Sequence, residues 1–170
     1  MINVQFARPE LPAHGALALL VALAAPAAAR ADDRSMLKSF DFAKPGFAHP
    51  HPFAIAHAVI QVSSGSPAVW TQTLNNVTNM LQNLGTDKVQ IVVVAYGPGL
   101  LMLFRDSIMA RRIASLDSQG VEFDACHNTM LAMAKMTGHL PALLPQAVVV
   151  PGGVIRIMQL EQHGFDYLKP

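Results

Sequence analysis

From Ala56 onward the apolar positions switch between two periods, and the switching predicts strands and helices in turn. Ala56–Val62 is a mostly apolar run that reads as a strand. Ser63 to Pro67 supplies turn residues and a helix start. Trp70, Leu74, Val77, Leu81 and Leu84 then recur three and four apart, one stripe of a helix that Gly85 stops. Val89–Ala95 is apolar almost throughout, as a parallel strand covered on both faces is. The turn Tyr96-Gly97-Pro98-Gly99 leads into a helix predicted from about Leu100 to Ser118 and broken by Gly120. Its apolar residues cover more than one stripe, which predicts burial against the sheet and against another subunit.

Val121 to Ala125 reads as a third strand, with Cys126 at its carboxyl end. Asn128 and Thr129 are good capping residues for the helix that follows. Leu140-Pro141 breaks the pattern, and Ala147–Val150 is the fourth strand. Pro151-Gly152-Gly153 precedes a last helix from Val154 to Gln162, and Gly164 to Pro170 reads as an aromatic tail. Four strands separated by helices of crossover length predict an α/β domain with a parallel sheet and right-handed crossovers.

The domain expected over residues 55–170 is preceded by two other segments. Residues 32–54 hold Pro45, Gly46 and His49-Pro50-His51-Pro52 and read as a linker or extended arm, because the prolines exclude helix. His49 and His51 have no neighbouring carboxylate or thiol, so they read as part of a solvated loop rather than a metal site. Before the arm, Arg8 precedes an apolar run from Gly15 to Ala29. The run ends in Ala29-Arg30-Ala31 and is followed by two aspartates. A small-x-small triplet in that position reads as a signal peptide over residues 1–31, for a Sec-type route and a periplasmic destination. An uncleaved membrane anchor is the alternative, though the run falls short of the roughly 20 residues of a span.

Hydrophobic residues make up 52% of the 170 and charged residues 14%, which excludes a disordered chain and one built to bind nucleic acid. Removing Arg8, Arg30 and Glu10 with the first 31 residues leaves ten basic and ten acidic side chains. No excess of positive charge then attracts phosphate backbones or anionic lipid, and none opposes self-association. No cofactor, nucleic-acid or post-cleavage membrane partner is expected.

Cys126 is the one cysteine. It has no partner for an internal disulfide, which leaves a buried hydrophobe, a reactive thiol, a metal ligand or half of an intermolecular bridge. In open α/β sheets, ligands bind beyond the carboxyl ends of the strands. Three segments converge there on this reading, carrying Tyr96, Gly97 and Gly99, then Cys126, Asn128 and Thr129, then Gly152. A thiol at a helix N-terminus is favoured as the thiolate, the nucleophile that accepts a sulfane sulfur. Backbone N–H groups near Gly97, Gly99, Asn128 and Thr129 are expected to stabilise the anionic sulfur. His127, adjacent in sequence, points elsewhere at a helix start and is not assigned as a base. Met130, Met133 and Met136 open a second reading, a Cu(I) module built with Cys126, against which stands a methionine-filled core helix. A third reading is a non-catalytic oligomeric interaction protein. No serine-hydrolase elbow, phosphate loop, paired carboxylates or zinc spacing is read from the chain.

The runs Val-Val-Ala-Tyr-Gly-Pro-Gly (93–99), Gly-Val-Glu-Phe-Asp-Ala-Cys-His-Asn-Thr-Met (120–130) and Val-Val-Pro-Gly-Gly-Val-Ile-Arg-Ile-Met-Gln-Leu-Glu-Gln-His-Gly-Phe-Asp-Tyr-Leu (149–168) resemble the DsrE/DsrF-like (YchN-like) family. The resemblance extends from about His57 to the C-terminus. It implies a three-layer α/β/α fold, assembly into homotrimers or homohexamers, and a cysteine that carries persulfide sulfur for a donor or acceptor protein. Cys126 occupies that cysteine's position.

Overall fold

The alternation of periods is realised in the computed structural model, which describes residues 34–170. The signal segment expected over residues 1–31 lies outside the described residues. Five strands and four α-helices follow one another. They are β1 (Ala56–Val62), α1 (Pro67–Leu84), β2 (Val89–Ala95), a 3-10 helix (Gly97–Leu103), α2 (Ala110–Asp117), β3 (Glu122–Cys126), α3 (His127–Thr137), β4 (Ala147–Val150), α4 (Gly153–Gln162) and β5 (Asp166–Leu168). The strands form one all-parallel sheet in the order β4-β3-β2-β1-β5. The fold is α/β, with helices on both faces of the sheet.

Strand alternation decides which side chains meet which helices. Ile60, Val62, Ile91, Val93, Phe123 and Ala125 join the larger core with Trp70, Leu74 and Val77 of α1, Ile113 of α2 and Met130 of α3. Val59, Val92 and Val94 point the other way and pack with Ile157 and Leu160 of α4 and with Phe165. The chain moves from β1 to β4 with α1, α2 and α3 on one face. It then crosses back to β5 with α4 on the opposite face. Reversing both direction and face keeps every crossover of the same hand, as a twisted parallel sheet requires.

Three sequence expectations change. The helix expected from Leu100 to Ser118 is split. Its first part is the 3-10 helix, and Phe104 then turns extended and bridges Leu143, with Arg105 N–H on Ala142 O at 2.9 Å and Leu144 N–H on Leu103 O at 2.9 Å. Long-range pairing therefore overrides the local helical pattern. The aromatic tail contains a fifth strand, as Asp166, Tyr167 and Leu168 pair in parallel with Ala58, Val59 and Ile60.

The third change concerns residues 34–54, which do not hang free as a linker. Ser35 bridges Val149 on the outer edge of β4. The amide of Gln90 fastens His49 O at 2.8 Å and His51 N–H at 2.8 Å. The ring of His49 lies 2.9 Å from Asp117, and that of His51 lies 3.0 Å from Gly120 O. One stripe of α4 reads three arm carbonyls: Arg156 bonds Gly46 O at 2.8 Å, Gln159 bonds Asp41 O at 2.6 Å, and His163 at its end bonds Ala43 O at 3.0 Å. The prolines keep the arm out of helix, and it runs instead through turns closed by Ser39 N–H on Met36 O, Lys44 N–H on Asp41 O and Ala54 N–H on His51 O.

Candidate functional site

The carboxyl edge of the sheet is built from short strand-to-helix turns, and glycine is needed where they approach a neighbouring strand. A Cβ on Gly99 would collide with the Val62 carbonyl, so the 3-10 helix lies directly over the end of β1. Gly97 adopts φ +52°, in the left-handed region. A Cβ on Gly153 would come within 3.0 Å of the Tyr96 ring and Cβ, so α4 starts in contact with the turn after β2.

These turns bring together the residues expected from the sequence. Gly97 N–H donates to Thr129 Oγ1 at 2.9 Å, tying the turn after β2 to α3. Asn128 N–H donates to Pro151 O at 3.3 Å, and a Cβ on Gly152 would lie 3.3 Å from Asn128 Nδ2, so the turn after β4 also touches α3. Cys126 pairs with Val150 at the ends of β3 and β4 and is the N-cap residue of α3, 5% exposed. The helices that follow these two strands leave to opposite faces, α3 toward the larger core and α4 toward the smaller. The thiol therefore stands at the crevice where the sheet's winding reverses, between the N-termini of two helices. This is the place at which open parallel sheets hold ligands.

One part of the expected site is different. The amides of Gly97, Gly99 and Asn128 already donate, to Thr129 Oγ1, Tyr96 O (3.0 Å) and Pro151 O. They hold the turns together and are not free donors for an anionic sulfur. Beside the crevice runs an open groove of about 540 Å³, lined by Gly97, Pro98, Leu101, Asn128, Thr129, Ala132, Met133 and Met136. The three methionines do not share one environment. Met130 is 7% exposed within the larger core and Met136 is 87% exposed. Met130 thus fills the core, as a methionine-rich amphipathic helix does. Among the described residues no three His, Cys, Asp or Glu side chains group to hold a metal ion. Nor is any described helix long and apolar enough to cross a membrane.

A second polar cluster went unread in the sequence, where no paired carboxylates were expected. Glu122 and Asp124 stand two apart on β3, so alternation turns both toward α4, where Arg156 meets them. None of the three has exposed surface. Arg156 Nε donates to Asp124 Oδ2 at 2.8 Å, and its two Nη atoms bond Gln159 Oε1 at 2.7 Å and Glu122 Oε1 at 2.9 Å. Its guanidinium also lies 5.2 Å over the Phe47 ring, which stacks on Phe165. Burial, with the Asp124 charge added, pushes the Glu122 carboxyl up to about 8, against the pull of Arg156. Burial raises Asp124 as well, again opposed by Arg156. Two acidic residues inside an otherwise apolar strand were the available signal.

No protein-family model matches the chain, and no curated protein matches it. A solved structure does: MTH1491 from Methanobacterium thermoautotrophicum, a protein of unknown function, is 31% identical with a TM-score of 0.60. The match spans 68% of this chain and 99% of that one. This chain belongs to the MTH1491 family. The α/β fold described above is thus shared with a solved relative, and the match leaves the chemistry of Cys126 to be argued from its surroundings.

Proposed function

We propose that this protein is a DsrE/DsrF-like sulfur carrier that binds sulfane sulfur as a persulfide on Cys126. The observation that carries this reading is the position of Cys126 at the reversal point of the sheet, at the N-terminus of α3 and paired to the strand that feeds α4. A parallel sheet concentrates its ligand chemistry there. Cys126 is the only thiol of the chain.

The step is a thiol–disulfide-type exchange. The Cys126 thiolate attacks a sulfur of a polysulfide or of a donor protein's persulfide. A new bond forms to Sγ, the donor's S–S bond breaks, and the electron pair leaves with the donor as its thiolate or shortened polysulfide. No external oxidant or reductant is needed. Transfer onward is the same exchange in reverse, with an acceptor thiolate attacking the outer sulfur. The groove beside α3, lined by Gly97, Asn128 and Thr129 of the same edge, offers an apolar surface for the donor or acceptor segment.

The exposed apolar side chains Leu101 on the 3-10 helix, Ile108 before α2, Leu131 and Met136 on α3, and Val154 and Met158 on α4 support assembly into homotrimers or homohexamers. Export through a cleaved segment over residues 1–31 to the periplasm belongs to the same proposal and rests on the small-x-small triplet before Asp32. The thiol-specific test compares alkylation of the native protein with that of the unfolded chain. A sulfur carrier's Cys126 alkylates without unfolding. Labelling that waits for denaturant contradicts the proposal.

A further inference from the structure

The arm of residues 34–54 is fastened at its middle to a site with unequal charges. Glu122, Asp124 and Arg156 bring two carboxyl groups and one guanidinium into a region with no exposed surface. Two of the three touch the arm directly: Ala48 N–H donates to Glu122 Oε2 at 2.5 Å, and Arg156 Nη2 donates to Gly46 O at 2.8 Å. The Arg156 nitrogens are all engaged, on Asp124 Oδ2, Gln159 Oε1, Glu122 Oε1 and Gly46 O. Asp124 Oδ1 is buried with no donor. A proton on Glu122, whose side chain is hydrogen-bonded to Asp124, would give Asp124 a second donor and leave one carboxylate facing one guanidinium.

We propose that residues 34–54 are a pH-sensitive strap, held closed by one proton shared between Glu122 and Asp124 and loosened when that proton leaves. A second buried negative charge has no second cation to meet it. The charged groups facing Glu122 are Asp124 on its own strand and Arg156 on α4, and the arm brings only the Ala48 amide to it. Arg34 and His49 of the arm go to Asp117 instead. Hydration is the remaining relief for the extra charge, and water reaches Glu122 when the arm lifts at Gly46 and Ala48. The position of Glu122, pushed up to about 8, agrees with a proton retained at neutral pH.

The test is amide hydrogen exchange of the purified protein across pH, corrected for the chemical exchange rate. Protection at Ala48 and neighbouring arm amides is expected to fall roughly tenfold or more between about pH 6 and about pH 8. Glu122→Gln keeps a neutral donor beside Asp124 and should flatten that slope. Asp124→Asn should flatten it by removing the rival charge. Flat protection in the unmodified protein overturns the proposal, whether or not either variant folds. So does an undiminished slope in Glu122→Gln, because a response carried by His49 or His163, which also hold the arm, would persist there.

Discussion

Nη2 of Arg156 lies 2.9 Å from Oε1 of Glu122, and neither side chain has any exposed surface. This contact joins α4 to β3 and, through the Gly46 carbonyl, to the arm. It turns a run that looks like a linker into a third component of the layer on that face. Removing the guanidinium would leave two carboxyl groups buried beside each other.

Arg156→Met should therefore destabilise the protein by about 3–5 kcal/mol, the cost of breaking a buried pair and leaving its partner charge uncompensated. Urea unfolding followed by far-UV circular dichroism measures it. A loss below about 1 kcal/mol would show that the cluster contributes little.

The pH dependence follows from the same carboxyl. Folded Glu122 keeps its proton up to about 8, whereas in the unfolded chain it releases it near 4.5. The folded chain binds the extra proton between those values, so stability is full below about 4.5 and is lost as pH rises toward about 8. Asp117 acts oppositely. Burial tends to raise it, but hydrogen bonds from His49 and Arg34 prevail and hold it below its ordinary 3.8, so its contribution is lost as pH falls below that value. Urea midpoints should decline from about pH 5 to about pH 8, and Glu122→Gln should remove most of the decline. A midpoint rising across that window would contradict the assignment.

The carboxyl edge offers two packing tests. Gly99→Ala forces a methyl group against the Val62 carbonyl and should cost about 1–3 kcal/mol, as overpacking does. Thr129→Val removes the acceptor of Gly97 N–H and should cost about 1 kcal/mol. Thermal unfolding of each variant checks the pair, and an unchanged Gly99→Ala would mean that the 3-10 helix moves freely off β1.

Much of this was legible in the chain. The runs that became β1, β2, β3 and β4 and the α1 stripe follow from local periodicity, and so does Cys126 at a strand end. What escaped depends on partners far away in sequence. Phe104 leaves its helix to bridge Leu143, and Asp166–Leu168 becomes a strand only because β1 has an open edge. Arg156 meets Asp124 across 32 positions. The arm is held largely through its backbone carbonyl and amide groups, which leave no mark on side-chain pattern. The amides of Gly97, Gly99 and Asn128 lie at one edge, and no spacing reveals that they are already bonded within it.

Assembly is checked by light scattering at micromolar concentration. The exposed apolar residues predict a mass that is a multiple of the chain's, three or six being the family's expectation. A monodisperse monomer would contradict it.

The chemistry of Cys126 is tested most directly by intact mass spectrometry after incubation with polysulfide. A sulfur-carrying Cys126 gives a mass gain of one or more whole sulfur atoms on the native protein, reversed by a thiol reductant and absent in Cys126→Ser, which should keep the fold because serine is nearly isosteric with cysteine. A native protein that gains no sulfur at any pH, or a Cys126→Ser variant that gains as much, would contradict it.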